Sequence, residues 1–291
     1  MRVTESISYR NLIANVSTLN ERLEQASQQV SSGSKLLNLH DGPAESAEMR
    51  LLEAQLSDID QYQTNADNGG FFLQAADSAL SSLNDLVTAV FTRGSAAASS
   101  YNDAQARSTL ASEIRSLRDQ ILGLANAEVR GRYLFAGSRV TSPAFILSGD
   151  TATYQGDEEV NTVKIGDWLQ VRQNLTGSGV FSPVFDAIEA LVAALDGNDS
   201  AAIQPALGQV SETLATVSQA RARLGVDLAK VQDSEIARLN QQLNIQTRKS
   251  HIGDADIAEA ITRVGQVQTA LEATLTVGSR IGQRNLFDYL G

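Results

Sequence analysis

Few residues of this sequence have the type and spacing that catalysis or metal binding requires. The chain has no cysteine, which excludes disulfides, thiolate nucleophiles and thiolate metal sites. Its two histidines, His40 and His251, lie outside any HExxH motif and are expected at helix boundaries as polar surface residues. The sequence also lacks a GxxxxGK[ST] loop, a GxGxxG loop and a GxSxG nucleophile elbow. We therefore predict no catalytic, cofactor-binding or metal-binding residue and no cofactor, and we do not expect an enzyme.

Charged clusters offer little more chemistry than the histidines. Asp157-Glu158-Glu159 could bind a cation weakly, but a solvated charge run is the better interpretation. Arg130-Gly131-Arg132 and Arg221-x-Arg223 predict ion pairs on a helical bundle or at an interface. The net charge of −11 argues against a nucleic-acid partner, because such proteins usually carry a basic face. The excess acid could keep an aggregation-prone subunit soluble, or it could be an ordinary solvated surface.

The sequence gives no sign of membrane insertion or of a cleaved leader. We expect no segment that is long and apolar enough to span a membrane. The first sixteen residues, MRVTESISYRNLIANV, lack the apolar core and the small-residue cleavage site of a conventional signal peptide. Should the protein leave the cell, its N-terminus is expected to be kept in the mature structure.

Heptad patterns at both ends of the chain predict paired helices. At the N-terminal end the spacing alternates between four and three residues, as in a coiled-coil stripe of Leu12, Val16, Leu19, Leu23, Ala26 and Val30. Near the C-terminus the same spacing runs through Ile257, Ile261, Val264, Gln268, Leu271 and Leu275. Gly33 is expected to end the first helix, and Asp256-x-x-Glu259 resembles a capping box that opens the last one. Two such stripes most simply bury each other.

We name the principal apolar members of these stripes the assembly seam. They are Leu12, Val16, Leu19, Leu23, Val30, Ile257, Ile261, Val264, Leu271 and Leu275. A lone pair of helices gains too little from burial to offset the entropy of ordering its backbone. We therefore predict that the termini are largely disordered in the free subunit and become helical against neighbouring subunits. The alternative is an intramolecular coiled coil that is always folded.

Long helices are predicted between the two ends, because residues 44–142 and 206–291 contain no proline. One helix should begin near Pro43 and reach about Gly94, with a kink or break at Asn68-Gly69-Gly70. A third should carry Leu110–Leu124. After Ser182-Pro183, which suggests an N-cap followed by an N1 proline, further helices should extend to the region of Gly253.

Residues 139–182 differ from the rest and predict a small β-rich insertion. They include Trp168, and Gly166-Asp167 lies between two strand-like runs, 162–165 and 168–172, as in a type II′ hairpin. The predicted fold is mainly α and elongated, with paired terminal heptad helices and a long-helix bundle. The predicted domains are 1–40 with 255–291 as a terminal coiled coil, 41–138 with 183–254 as a helical bundle, and the insertion 139–182.

Several motifs resemble those of the bacterial flagellin superfamily, and in particular its hook–filament junction proteins. The opening Met1–Thr4 with Tyr9, and the run from Ser31 to Pro43, are similar to the start of these proteins, although Gly42 replaces the usual second acid. Asn126 with residues 131–138 resembles a junction-protein signature. The ending Leu286–Leu290 is similar to the junction-protein ending rather than to that of flagellin. The resemblance covers roughly residues 1–138 and 210–291, and the motifs occur in the family's order.

The resemblance implies an elongated, flagellin-like fold and a structural role outside the cell. Such a protein would be exported without a cleaved signal peptide and would form a ring with copies of itself at the hook–filament junction, joining hook-associated protein 1 to flagellin. An export chaperone would mask the C-terminal contact residues Leu286, Phe287, Tyr289 and Leu290 before secretion. Neither nucleic acid nor membrane is an expected partner. The alternative function is that of a flagellin, which would polymerise without limit, and an enzyme housed in the insertion is a third possibility.

Overall fold

The structure, a computed structural model, describes residues 2–36, 42–99 and 103–290, without the side chains of residues 2–6, 8 and 280–290. These residues form six helices: α1 (Arg2–Ser32), α2 (Pro43–Ala97), α3 (Ala104–Ala125), α4 (Ser178–Asp196), α5 (Ser200–Gly253) and α6 (Ile257–Leu290). Between α3 and α4 lie the strands β1 (Glu128–Val129), β2 (Arg132–Tyr133), β3 (Phe145–Ser148), β4 (Thr151–Tyr154), β5 (Thr162–Lys164) and β6 (Gln170–Arg172). They pair as three antiparallel hairpins. The predicted mainly α fold with terminal helices, long helices and small β elements is confirmed.

The chain divides into two compact units. The first contains Met1–Ser57 and Gln241–Gly291, and the second contains Asp58–Asn240. Helices α2 and α5 each contribute residues to both units. The predicted division into three domains stays a prediction.

Helix α2 continues through Asn68-Gly69-Gly70, so the predicted break at this point is wrong, whereas the alternative of a kink stays a prediction. These glycines serve packing. A Cβ atom on Gly69 would lie 3.3 Å from Cγ1 of Val171, and one on Gly70 would lie 3.3 Å from Cγ1 of Val231. The missing side chains let β6 and α5 approach α2 closely. This packing offsets the roughly 0.5–1 kcal/mol that each glycine costs inside a helix.

Helix α4 begins at Ser178, before the predicted N-cap at Ser182, which is therefore wrong. The extra turn is bonded, since the N–H of Phe181 donates to the carbonyl of Gly177 at 2.8 Å. It also places the Phe181 ring in the core, with its centroid 4.8 Å from that of Phe135. Pro183 is tolerated inside the helix because the carbonyl it cannot bond belongs to Gly179, an exposed residue.

By length and composition alone, α4 could cross a membrane, contrary to the expectation that no segment could. In the structure its apolar side chains are part of the core of the second unit. The buried ones are Phe181, Val184, Phe185, Ala187, Ile188, Leu191, Val192, Ala194 and Leu195. Their burial against other helices and strands accounts for the composition of α4 without a lipid environment.

An aromatic cluster forms one part of this core. The Phe145 ring centroid lies 5.2 Å from that of Phe185, 5.9 Å from that of Phe181 and 5.1 Å from that of Tyr154. Aliphatic side chains of α2, α3 and α5 continue the same cluster, among them Leu80, Leu83, Val87, Ile114, Ile121, Ile203 and Val210. The second unit therefore buries a core of its own.

The β1–β2 hairpin closes on Arg130-Gly131, both with positive φ (52° and 77°), as a type I′ turn requires. The Arg130 guanidinium lies 4.3 Å from the Phe71 ring centroid, and that of Arg132 lies 5.3 Å from the centroid of Phe72. These two arginines thus make cation–π contacts, and their predicted ion pairs stay a prediction. Arg221, by contrast, pairs with Asp77 at 3.1 Å, as predicted.

The β5–β6 hairpin has a different register from the predicted one. Lys164 pairs with Gln170 and Val163 with Val171, and Trp168 lies in the connecting loop rather than in a strand. The predicted two-residue loop at Gly166-Asp167 is wrong because it would place Val163 opposite Gln170. The observed register puts the two valines together on the face that packs against the core. A two-residue loop whose first residue is a glycine with positive φ occurs instead in the β3–β4 hairpin, at Gly149-Asp150.

The segment after α3 is held by close polar contacts. The Asn126 side-chain amide exchanges two hydrogen bonds with the backbone of Phe145, both at 2.8 Å. Asp157 accepts from the backbone N–H of Ser138 at 2.7 Å and from its hydroxyl at 2.5 Å. Gly137, with φ +68°, lets the two segments meet. One member of the acidic run 157–159 thus serves as a structural acceptor rather than as a solvated charge.

A buried carboxylate joins β6 to α5. Asp227 accepts from Arg172 Nε at 2.7 Å and from Lys230 Nζ at 2.9 Å. Burial alone raises the pKa of Asp227, but the two cationic donors outweigh it and hold this pKa below its usual range. Its charged form therefore stabilises the fold.

Gly137→Ala and Gly149→Ala separate close packing from backbone strain, because the two glycines have nearly equal φ values of +68° and +66°. Alanine in this conformation costs about 1–2 kcal/mol at either site. At Gly137 the new Cβ would also lie 2.3 Å from the Asp157 carbonyl oxygen, whereas at Gly149 it meets nothing within 4 Å. Urea unfolding should show a clearly larger loss for Gly137→Ala. Equal losses would contradict the close approach.

Asp227→Asn should lower the free energy of unfolding at pH 7 by about 2–3 kcal/mol, because it removes a charged acceptor from two cations. The depressed pKa means that this contribution is complete above the ordinary carboxyl pKa of about 4 and is lost as pH falls through the folded value. The difference from the unmodified chain should therefore shrink in urea titrations below about pH 4. Asp233→Asn, an exposed change on the same helix, is the control. A difference that does not depend on pH would contradict the assignment.

Candidate assembly surface

A short backbone bridge joins the end of α1 to the start of α6 within the first unit. Ser34 and Asp254 form an antiparallel β-bridge. The Lys35 N–H donates to the Gly253 carbonyl at 2.7 Å, and the Ala255 N–H donates to the Gly33 carbonyl at 2.9 Å. Gly33, with φ +68°, provides the left-handed residue that ends α1. This bridge sets the point from which the two terminal helices run together.

Asp256 then caps α6, as the sequence predicts. Its Oδ1 accepts from the backbone N–H of Ala258 at 2.9 Å and from that of Glu259 at 3.1 Å. Glu259 is not turned back to complete a capping box; it pairs with Arg263 one turn later, at 2.6 Å. The cap and this pair stabilise the first turns of α6, which packs along α1.

Leu12 lies on the face of α1 that meets α6, beside Gly278, and the other α1 members of the assembly seam share its heptad spacing. Leu12, Val16, Leu19, Leu23 and Val30 are half-buried. Ala26, in the same stripe, is fully buried. No more than half-burial is expected of most positions, because one partner helix covers only one side of a stripe.

The α6 members of the assembly seam divide into two sets. Val264 and Leu271 are half-buried against α1. Ile257, Ile261 and Leu275 are exposed, with 55% of Ile261 and 53% of Leu275 accessible. Gln268 is exposed beside them. Successive members are four or seven residues apart, so Ile257, Ile261, Gln268 and Leu275 form an apolar-rich stripe along one side of α6, which we call the outer stripe.

The residues of α6 that pack on α1 include several that sequence analysis missed. The contact face runs through Ala260, Val264, Val267, Leu271, Thr274 and Gly278, again with alternating steps of four and three. Small residues let the helices approach: a Cβ atom on Gly278 would lie 2.6 Å from Cδ2 of Leu12. The spacing itself could have revealed this face. The larger aliphatic residues of the outer stripe, which have the same spacing, concealed it.

The predicted C-terminal contact residues Leu286, Phe287, Tyr289 and Leu290 belong to the last turns of α6. Their side chains lie outside the described part of the chain. Among the residues that the structure describes, no group of three or more His, Asp or Glu side chains could hold a metal ion. His251 is exposed in the last turn of α5, and His40 lies outside the described residues.

Two family models match the chain. The one described as the bacterial flagellin N-terminal helical region matches residues 3–140, and the one described as the bacterial flagellin C-terminal helical region matches residues 207–290. Together they account for about three quarters of the 291 residues. The unmatched stretch contains the β3–β4 and β5–β6 hairpins and α4.

Individual relatives include both hook-associated proteins and flagellins. Flagellar hook-associated protein 3 of Salmonella typhimurium is 23% identical and is matched over 99% of each chain. Flagellin FlaB2 of Treponema pallidum is 24% identical, over 80% of this chain and 79% of its own length. A solved structure, a putative flagellar hook-associated protein from Vibrio parahaemolyticus, shares the fold with a TM-score of 0.67 and 24% identity, covering 74% of this chain and all of its own. These matches favour the junction-protein prediction over the flagellin alternative.

Leu271→Glu and Leu275→Glu make the same change four residues apart on α6. The first places a charge against α1, whereas the second adds one to an exposed position. Amide hydrogen exchange should therefore show loss of protection on α1 for Leu271→Glu only. The comparison is made on the free chain, because Leu275 belongs to the outer stripe and its substitution would also affect assembly. Equal effects of both changes would contradict the contact face.

Proposed function

The chain belongs to the bacterial flagellin family, and we propose that it is a structural adaptor subunit forming a ring at the hook–filament junction of the flagellum. On one side the ring would contact hook-associated protein 1, and on the other side the first flagellin subunits. The proposal includes no catalytic activity, cofactor or metal. It places the protein outside the cell, after export without a cleaved signal peptide.

The outer stripe of α6 is the observation that carries this proposal. Ile257, Ile261 and Leu275 are apolar and exposed, although α6 has a partner helix along its neighbouring face. Ile13 and Tyr9 of α1 are exposed as well. Apolar residues that recur at heptad spacing on a helix favour packing against further helices. Neighbouring copies, and the adjoining hook-associated protein and flagellin, would supply those helices.

Coverage of the terminal pair by neighbours would also explain how the termini fold. In the free subunit the pair leaves much of its apolar surface in water, so its stability is low and the chain can stay extended for export. An export chaperone would cover Leu286, Phe287, Tyr289 and Leu290 until secretion. The intramolecular alternative, a terminal pair that is always folded, predicts strong amide protection of α1 and α6 before assembly.

Immunogold electron microscopy of flagella, with an antibody against this chain, tests the proposal. A single narrow band between hook and filament is expected from a ring that stops growing after a short stack. Label along the whole filament would show the flagellin alternative instead. Label away from the flagellum would reject both functions.

Ile261→Glu tests the outer stripe with the same microscopy. The added charge would be desolvated between helices, which opposes packing of neighbouring subunits, so the band should be lost. Gln266→Glu is the matched control, because it adds the same charge at an exposed position on another side of α6. Normal assembly of Ile261→Glu, or equal loss in both variants, would exclude the outer stripe as the specific contact.

A further inference from the structure

Trp168, the only tryptophan of the sequence, is almost completely accessible to solvent, at 98%. It lies in the loop that joins β5 to β6 in the second unit. Tryptophan is enriched among the few residues that carry most of the binding energy of protein interfaces. A large aromatic side chain that is almost fully accessible in a loop is a candidate for such a residue.

The loop that carries Trp168 is held in place from beneath. The buried guanidinium of Arg238 donates to the Ile165 carbonyl at 3.1 Å. Asn65 Nδ2 donates to the Lys164 carbonyl at 2.8 Å, and the Tyr62 hydroxyl donates to Asp167 at 3.2 Å. Arg238 is itself fixed by Gln63 Oε1 and by the Ser234 hydroxyl. The indole is thus displayed on an ordered loop, and binding would cost little ordering entropy.

A small groove elsewhere on the second unit could receive an aromatic ring. Its volume is about 290 Å³, at the small end of the range for ligand sites, which suits one side chain better than a long segment. Leu80, Phe135, Leu175 and Leu224 give it apolar walls, and exposed Arg223 lies at its rim. An arginine beside an apolar slot can stack on an indole or pair with an adjacent acid.

Trp168 does not occupy this groove of its own chain, because 98% of its side chain is accessible to solvent. The groove reaches Val160 and Arg172 at the open end of the β5–β6 hairpin, whereas Trp168 lies in the loop at the other end. An indole that fills the groove therefore comes from another molecule.

We propose that Trp168 of one copy inserts into the groove of the adjacent copy, as a head-to-tail contact within the ring. Charge complementarity favours this occupant: Asp167 sits beside the indole, and Arg223 sits at the rim of the groove. The Trp168 indole and the groove are different patches on the surface of each copy. Each copy therefore offers both, and the contact can repeat from copy to copy until the assembled ring closes. This contact rests on the proposed function, because it needs neighbouring copies.

Engineered cysteines test the contact directly, because the chain has none of its own. Gly166→Cys adds a thiol beside Trp168, and Gly179→Cys adds one at the groove. Neither Cβ would meet an atom closer than 3.6 Å. The full chain with both changes, as the sole copy in the bacterium, is oxidised mildly in isolated flagella and separated without reductant. The control pairs Gly166→Cys with Gly123→Cys, an open and exposed site on α3.

A reducible ladder of dimers and larger species is expected for the test pair and not for the control. A dimer without larger species would show a two-fold contact and overturn the head-to-tail arrangement, as would a cross-link to another flagellar protein. A disulfide within one chain would leave a monomer, so it could not be mistaken for the ladder. No cross-link, with the immunogold band still at the junction, would overturn this contact but not the proposed function. If the unmodified chain shows no immunogold band at the junction, the proposed function itself is rejected.

Trp168→Ala in the same double-cysteine chain should lower the yield of the ladder about tenfold or more, as for the loss of an interface hot spot. Ile146→Ala removes another exposed apolar side chain, from the β3–β4 hairpin, and should leave the ladder unchanged. Equal yields in these two variants would show that the indole does not make the contact.

Discussion

Two helices can bury only the stripes along which they touch, and this limit governs the terminal part of the chain. Helix α6 places Ala260, Thr274 and Gly278 on its contact face with α1, and these small residues allow a close but narrow contact. The larger aliphatics Ile261 and Leu275 then remain outside it. A terminal pair built in this way is incomplete as a folded domain. Under the proposed function, helices of neighbouring subunits would complete it.

The second unit differs from the terminal helix pair, because its own residues bury its hydrophobic core. The aromatic cluster around Phe145 joins α4 to the β-hairpins, and buried cations fix the connecting segments. Arg107 donates to the Ala97 carbonyl, Arg118 to Asp150, and Arg238 to the Ile165 carbonyl. In each of these contacts a buried guanidinium donates a hydrogen bond that holds a connecting segment in place. The unit can thus be stable before assembly, when the termini still lack partners.

Sequence patterns predicted the helices well, because hydrophobic spacing and the absence of proline act locally. They failed where packing against a neighbouring helix or strand determines the local structure. Gly69 and Gly70 should break a helix in isolation, yet β6 and α5 pack against the space they leave. The β5–β6 register follows from burying Val163 and Val171 together, which turn chemistry alone does not specify. In the candidate surface, large aliphatics were preferred as seam residues, whereas the observed contact depends partly on alanine, threonine and glycine.

Small residues at the α1–α6 contact also explain why so much of the predicted assembly seam remains available. Had Gly278 carried a bulky side chain, Leu12 could not pack against it. Helix α6 uses small residues together with Val264, Val267 and Leu271 toward α1, and leaves Ile257, Ile261 and Leu275 available for other molecules. Such a distribution stabilises an assembly more than it stabilises the monomer. Under the proposed function, this difference would keep the subunit unassembled until it reaches the junction.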